Sequence, residues 1–183
     1  YIDAPAKVIL TVKNSKFTTA KKAAIMVKSA AGAEINVENL DITGVAADSI
    51  NAVWVDEKAK AYADLVTVTG GTMIIEGFTP VSTADELVAA LEKNESVYFL
   101  NDIKINPAAM SNAYGKTGIN VKNGQTIEGG GHTLNIKGAG GTWDSGINTT
   151  GGIIKNLTVT GSFRGIFINH NSTYSEKVVL DNV

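Results

Sequence analysis

The side chains best suited to handling a polar ligand gather late in the chain, at Trp143, Asp144, Arg164, Asn169, His170 and Tyr174. A solvent-facing indole beside Asp, Asn and Arg suits a sugar, because the ring stacks on its apolar face while polar groups bond the hydroxyls. Arg164 is the only arginine in the chain. The expected glycan-binding set is therefore Trp143, Asp144, Arg164, Asn169 and His170, with a polysaccharide or cell-surface glycan as partner. The same residues admit a plainer role, in which Trp143 packs on a loop and Arg164 bonds turn carbonyls or pairs with Asp144.

Composition narrows the classes around that set. Among 183 residues the apolar fraction is 44%, enough to fill a core, and the formal net charge is -2 with no basic block. A nucleic-acid partner is not expected. There is no Cys, hence neither a disulfide framework nor thiolate chemistry. No run approaches the roughly 20 apolar residues of a membrane span. Neither a metal nor a cofactor is expected. Four Asn-x-Ser/Thr triplets, at Asn94, Asn148, Asn156 and Asn171, are expected by chance in an Asn- and Thr-rich chain.

The elements that must position these residues are announced by a repeated phrase. Ile154-Lys155-Asn156-Leu157-Thr158-Val159-Thr160-Gly161 has the form of Val37-Glu38-Asn39-Leu40-Asp41-Ile42-Thr43-Gly44, of Val12-Lys13-Asn14-Ser15, and of Leu180-Asp181-Asn182-Val183. Asn14 and Asn39 lie 25 apart and Asn156 and Asn182 lie 26 apart. A fixed period of this size, filled with short β-type runs, predicts an all-β solenoid with one coil per repeat. Each coil is expected to hold three short strands. In the first half these include Ala23–Val27, Ala33–Val37, Ile50–Val55 and Lys60–Ala63, with Leu65–Gly70 as a third copy of the phrase.

Asn14, Asn39, Asn156 and Asn182 form the expected structural ladder, since Asn tolerates the left-handed backbone and stacked amides can bond one another. Spacing adds Asp102 and Gly129 to the second ladder, with Gly129 supplying the same backbone geometry. The residue before each ladder position is expected to face outward. Those residues alternate in sign, as Lys13 and Glu38, then Glu128, Lys155 and Asp181, so neighbouring coils should pair.

One stretch breaks the pattern. Pro80 to Lys93 predicts an amphipathic helix, with Thr83 and Glu86 as a capping box and an apolar stripe from Leu87, Val88, Ala90 and Leu91. Its expected role is to cover an open coil end. The organisation that follows is 1–79 as the last coils of a first β-helix, 80–95 as the capping helix, and 96–183 as the start of a second. Both outer ends look uncapped, which predicts further chain or end-to-end or lengthwise self-association.

Ile127-Glu128-Gly129-Gly130-Gly131-His132-Thr133-Leu134, the Ile154–Gly161 phrase and Phe163–Ile168 resemble right-handed parallel β-helix proteins of the pectate-lyase-like superfamily. The likeness is to repeat proteins of gut Bacteroidetes surfaces and to fibre or spike proteins of their phages. It implies coils of about 25–27 residues and an extracellular, bacterial-surface or virion-surface setting. It also implies three functions to separate: a non-catalytic module for adhesion or glycan contact, a polysaccharide lyase or glycoside hydrolase, and a phage fibre segment. Lyases of this fold need a Lys or Arg base beside a calcium site, and calcium takes six to eight oxygens. Asp102, Glu128, Asp144, Glu176 and Asp181 are scattered, with no Asp pair in one strand. A hydrolase needs two carboxylates at a set separation. The expectation therefore leans to the non-catalytic module, with His132 a plain coil residue.

Overall fold

The computed structural model describes residues 2–3, 6–18, 23–28, 31–42, 52–106, 110–112, 115–137, 144–169 and 176–183. Backbone contacts divide the chain into two compact units, Tyr1–Gly77 and Phe78–Val183. The architecture is all-β, built from parallel sheets, with a single short α-helix among the described residues.

The first unit contains β1 (Val8–Lys16), β2 (Ile25–Val27), β3 (Ala33–Asp41), β4 (Val53–Val55), a 3-10 helix (Lys60–Leu65), β5 (Val66–Thr69) and β6 (Met73–Ile75). Successive strands alternate between two sheets, ordered β1-β3-β5 and β2-β4-β6. Val and Ile at every second position drive this, since branched side chains on one face of a strand pack against the next layer. Ala33, Ile35, Val53, Val55 and Ile75 are all buried on that face.

Three expectations change here. Ala33–Val37 is not a third face of its coil but stacks directly on β1, Val8 opposite Ala33 and Val12 opposite Val37. The described part of each cycle thus contributes to two sheets. Lys60–Ala63 is not a strand, because its Ala-rich alternation fits a short 3-10 turn as well as a strand. Val66–Thr69 aligns with Ala33–Asn36 and not with the phrase after Asn39, since Val66 and Val68 fill the layer above Ala33 and Ile35.

The second unit contains β7 (Thr79–Val81), α1 (Ala84–Glu92), β8 (Val97–Phe99), β9 (Ile103–Ile105), β10 (Met110–Asn112), β11 (Gly115–Val121), β12 (Thr126–Glu128) and β13 (Thr133–Ile136). It continues with β14 (Ser145–Thr149), β15 (Gly152–Lys155), β16 (Thr158–Thr160), β17 (Arg164–Ile168) and β18 (Val178–Asp181). Strands step in rotation through three sheets, ordered β7-β8-β12-β15-β18, β9-β13-β16 and β10-β11-β14-β17. Every pairing in them is parallel except β10 with β11. Phe99, Ile119, Ile127, Leu134, Ile136, Ile147 and Ile154 meet in one buried core.

The helix is shorter than Pro80–Lys93. Pro80 and Val81 belong to β7, where Pro sits on an edge strand that can spare a donor. Thr83 and Glu86 form the reciprocal cap, with the Glu86 amide donating to Thr83 Oγ1 at 3.2 Å and the Thr83 amide donating to Glu86 Oε2 at 3.1 Å. Leu87, Ala90 and Leu91 join the core beside Val81 and Val97. Buried Gln125 ties off the other end, donating from Nε2 to the Leu91 carbonyl at 2.8 Å and accepting the Lys122 amide at 2.7 Å. That side chain adds a second donor to a last-turn carbonyl that also accepts the Asn94 amide at 3.1 Å.

Candidate functional site

Asp144, Arg164 and Asn169 frame two neighbouring strands of one sheet. Asp144 immediately precedes β14, Arg164 opens β17, and Asn169 follows its last residue. The Arg164 amide donates to the Asp144 carbonyl at 2.9 Å, and the Asn169 amide donates to the Thr149 carbonyl at 2.8 Å. Asp144 and Arg164 are therefore adjacent. Asn169 lies at the other end of β17, roughly 16 Å away at about 3.3 Å per strand residue. Asp144 is 3% exposed, and the Arg164 guanidinium carbon lies 4.4 Å from the Phe167 ring centre. The arginine thus spends its planar face on an aromatic neighbour. Trp143, His170 and Tyr174 lie outside the described residues.

The outward column of this sheet carries the sheet's own polar pattern. Asn120, Asn148 and Phe167 are in register across β11, β14 and β17, and Asn148 Nδ2 donates to Asn120 Oδ1 at 2.9 Å. Beside it runs a column of glycines. A Cβ at Gly118 would come within 2.6 Å of the Ile136 side chain, and one at Gly146 within 2.7 Å of the Gly165 carbonyl. The recurring words Gly118-Ile119-Asn120, Gly146-Ile147-Asn148 and Gly165-Ile166-Phe167 carried this signal in the sequence, outside the asparagine phrase. A shallow cleft of about 130 Å³ opens at the helix side of the sheet, lined by Val88, Leu91, Glu92, Ile119, Asn120 and Lys122. It is smaller than the roughly 300–1,000 Å³ of enclosed ligand sites.

The tightest polar cluster lies at another corner, and it reverses one expectation. Glu128 does not face outward; it is 3% exposed. Tyr98, Glu128, Lys155 and Asp181 stand in register across β8, β12, β15 and β18. Glu128 Oε1 accepts from Asn156 Nδ2 at 2.9 Å and from the Gly130 amide at 3.0 Å. Lys155 Nζ lies 2.9 Å from Oε2, an ion pair too poorly angled to count as a hydrogen bond. Burial, with the Glu128 charge adding to it, pushes the Tyr98 hydroxyl up to about 12. Oε1 thus anchors the corner through two hydrogen bonds, while Oε2 faces the Lys155 ammonium.

Asn156 and Asn182 form the asparagine ladder at this corner, and Asn14 and Asn39 form one within the first unit. Asn14, Asn39, Asn156 and Asn182 have φ of 47°, 50°, 51° and 52°. Asn39 Nδ2 donates to Asn14 Oδ1 at 2.9 Å, and Asn182 Nδ2 to Asn156 Oδ1 at 3.0 Å. Gly129 follows Glu128 in register with Asn156, but its role is different from a left-handed corner. Its φ is not positive, and a Cβ there would lie 2.3 Å from the Asn156 carbonyl oxygen, so the close approach of the next layer requires glycine. The Glu128 carboxylate takes over as the ladder's acceptor. Asp102 is not in that ladder. It lies beside Thr133, whose amide it accepts at 2.8 Å, with His132 Nδ1 at 3.4 Å.

Among the described residues, no three His, Cys, Asp or Glu side chains gather as a metal site, and no helix is long and apolar enough to cross a membrane. The decisive comparison is with families. A family described as "Putative pectate lyase-like adhesive domain" matches residues 78–183, more than half of the chain. The chain belongs to that family. The matched residues are those of the second unit, Phe78–Val183. No curated protein and no solved structure matches the chain.

Proposed function

We propose that the chain is a non-catalytic adhesive module of an exported bacterial surface or fibre protein, folded as two partial right-handed parallel β-helices. In this reading residues 1–79 are the last coils of one β-helix, 80–95 are its neighbour's helical cap, and 96–183 are the first coils of the second. The observation that carries the adhesive role is the family match over the second unit. The rotation of strands through three parallel sheets supports a coil. The non-catalytic reading is supported by the buried Glu128 carboxylate, which is held by Asn156, the Gly130 amide and Lys155 in contacts between stacked strands.

The contact surface of this reading is the β14–β17 part of the second unit, where Asp144 and Arg164 stand at one end of the two strands and Asn169 at the other, with Asn120, Asn148 and Phe167 in register between them; Trp143 and His170 are assigned to it from the sequence alone. A polysaccharide or cell-surface glycan fits that mixture of ring faces and amides. A glycan array probed with the wild-type chain, Trp143→Ala and Arg164→Ala is the test. Binding by the wild type that falls at least tenfold in Trp143→Ala is expected. No binding by any of the three chains removes the glycan partner, and equal binding by all three moves the surface elsewhere.

A further inference from the structure

Among the described ion pairs, one is both close and sheltered from water. Glu128 and Lys155 approach to 2.9 Å with their side chains 3% and 21% exposed. The pairs Lys7–Glu34, Lys13–Glu38, Lys16–Asp41 and Lys60–Glu57 all keep both side chains well in solvent. Lys28–Asp56 is more sheltered than these, yet its charged atoms stand 3.5 Å apart.

The two oxygens of Glu128 are treated differently. Oε1 accepts from Asn156 Nδ2 at 2.9 Å and from the Gly130 amide at 3.0 Å. Oε2 is buried, accepts no hydrogen bond, and faces Lys155 Nζ. Two N–H donors on one carboxyl oxygen stabilise the negative charge that gathers there when a nucleophile attacks the carbon. The amine of Lys155, one bond from that carbon on the side of Oε2, is such a nucleophile. Tyr98 closes the flank away from Lys155. It is 8% exposed and in register with Glu128, and its hydroxyl would lie 3.1 Å from a Cβ on Gly130. Glu128 and Lys155 are direct partners in the parallel pair of β12 and β15, so the backbone holds the reacting groups together. Fixed proximity replaces the high concentration that a free amine and acid would need. A site short of water also protects the product from hydrolysis.

We infer that Lys155 Nζ condenses with the Glu128 carboxyl, forming an amide that joins β12 to β15 covalently. This goes beyond the adhesive reading and does not depend on it. The Lys155 ammonium first passes a proton to Oε2, which leaves a neutral amine beside a carboxylic acid. Nζ then attacks Cδ, and the charge formed on Oε1 is met by Asn156 Nδ2 and the Gly130 amide. A second proton moves from the nitrogen to Oε2, the Cδ–Oε2 bond breaks, and water departs. One C–N bond forms and one C–O bond breaks, with no oxidant or activating group consumed. The product encloses β13 and β14 in a covalent loop. Two layers tied in this way stay joined when the chain is pulled.

Intact mass of the 183-residue chain, measured under denaturing conditions during prolonged incubation of the folded protein, is the test. A species lighter than the sequence by one water is expected to accumulate. Its protease digest should contain one branched peptide joining Glu128 to Lys155, with no tryptic cleavage after Lys155. Lys155→Arg keeps the ion pair and lacks the nucleophilic amine, and it should hold the full sequence mass throughout. Asn156→Gly keeps a residue suited to the left-handed backbone and removes one donor to Oε1, so the linked form should appear at least tenfold more slowly. A residue that merely supported the fold would not change that rate in a chain with native circular dichroism.

A wild type with native circular dichroism that holds the full sequence mass overturns the inference and leaves the corner an ion pair. Loss of water that persists in Lys155→Arg, or that maps to other residues, overturns it as well. None of these outcomes bears on glycan contact, which the array tests separately.

Discussion

The Asn14–Asn39 corner of the first unit and the Asn156–Asn182 corner of the second use the same residues and differ in what lies beneath them. In the first unit the flanking charges Lys13 and Glu38 are both well exposed. In the second, Lys155 reaches down to a carboxylate that solvent barely touches. The first corner is a surface decoration on a strand bend. The second is a buried knot in which Tyr98, Glu128, Lys155 and Asn156 depend on one another. A repeated phrase therefore specifies geometry without specifying energy, because energy depends on the layer that covers it.

The largest test of that difference is a pair of equivalent truncations. Lys155→Ala leaves Glu128 buried with its charge unpaired, a change expected to cost about 3 kcal/mol. Lys13→Ala at the same position of the phrase should cost less than about 1 kcal/mol, since both partners keep their water. Chemical denaturation of the two variants measures the gap directly. Equal losses would mean that the corners are energetically alike after all.

A second, somewhat smaller effect belongs to Tyr98. Its hydroxyl is held up to about 12 in the fold, against 10.0 for the free group. The unfolded chain thus releases this proton first as pH rises. Stability is intact below about pH 10 and falls between pH 10 and 12, by about 2–3 kcal/mol in total. Tyr98→Phe should flatten that portion of the alkaline profile.

Asn156→Ala comes next, at about 1–2 kcal/mol for placing a Cβ-bearing residue without a polar tip in the left-handed region. Asn156→Gly should recover much of this by relieving the backbone while still lacking the bond to Glu128. At Asn14, where the partner is an exposed amide, glycine should recover nearly all of it. Thermal melts of the four variants compare the corners with the backbone term removed.

These residues also show which parts of the molecule were readable in advance. Asn14, Asn39, Asn156 and Asn182 stood out because few residues tolerate positive φ and the spacing repeats. The capping box was equally visible, since both of its side chains are named by type and distance. Glu128 was misread because a charged residue beside an apolar one predicts an exposed face, and only the next layer's lysine and amide reveal otherwise. Gly129 resembled a ladder member, yet the Asn156 carbonyl requires it. Lys60–Ala63 reads as a strand and forms a 3-10 turn, because alanines alternate as readily in a turn as in a strand. At the candidate contact surface the residue types were legible and the separation of Arg164 from Asn169 was not, because strand length had to be known first.

The smallest effect concerns α1, the one α-helix among the described residues. Thr83→Ala removes one side of the cap and should cost about 1 kcal/mol. The Ser82 amide, 2.7 Å from Glu86 Oε2, holds that carboxyl below its ordinary value, and the Thr83 amide and hydroxyl add to this. The contribution from this depressed group is present above the unfolded value of 4.5 and is lost as pH falls through the folded one. Glu86→Gln should therefore weaken the protein at neutral pH and change it less in acid. Because α1 packs within residues 78–183, both substitutions should shift only the unfolding transition of that unit. A shift of equal size in the transition of residues 1–77 would show that the two units fold as one cooperative body, and their corners could then no longer be compared as independent sites.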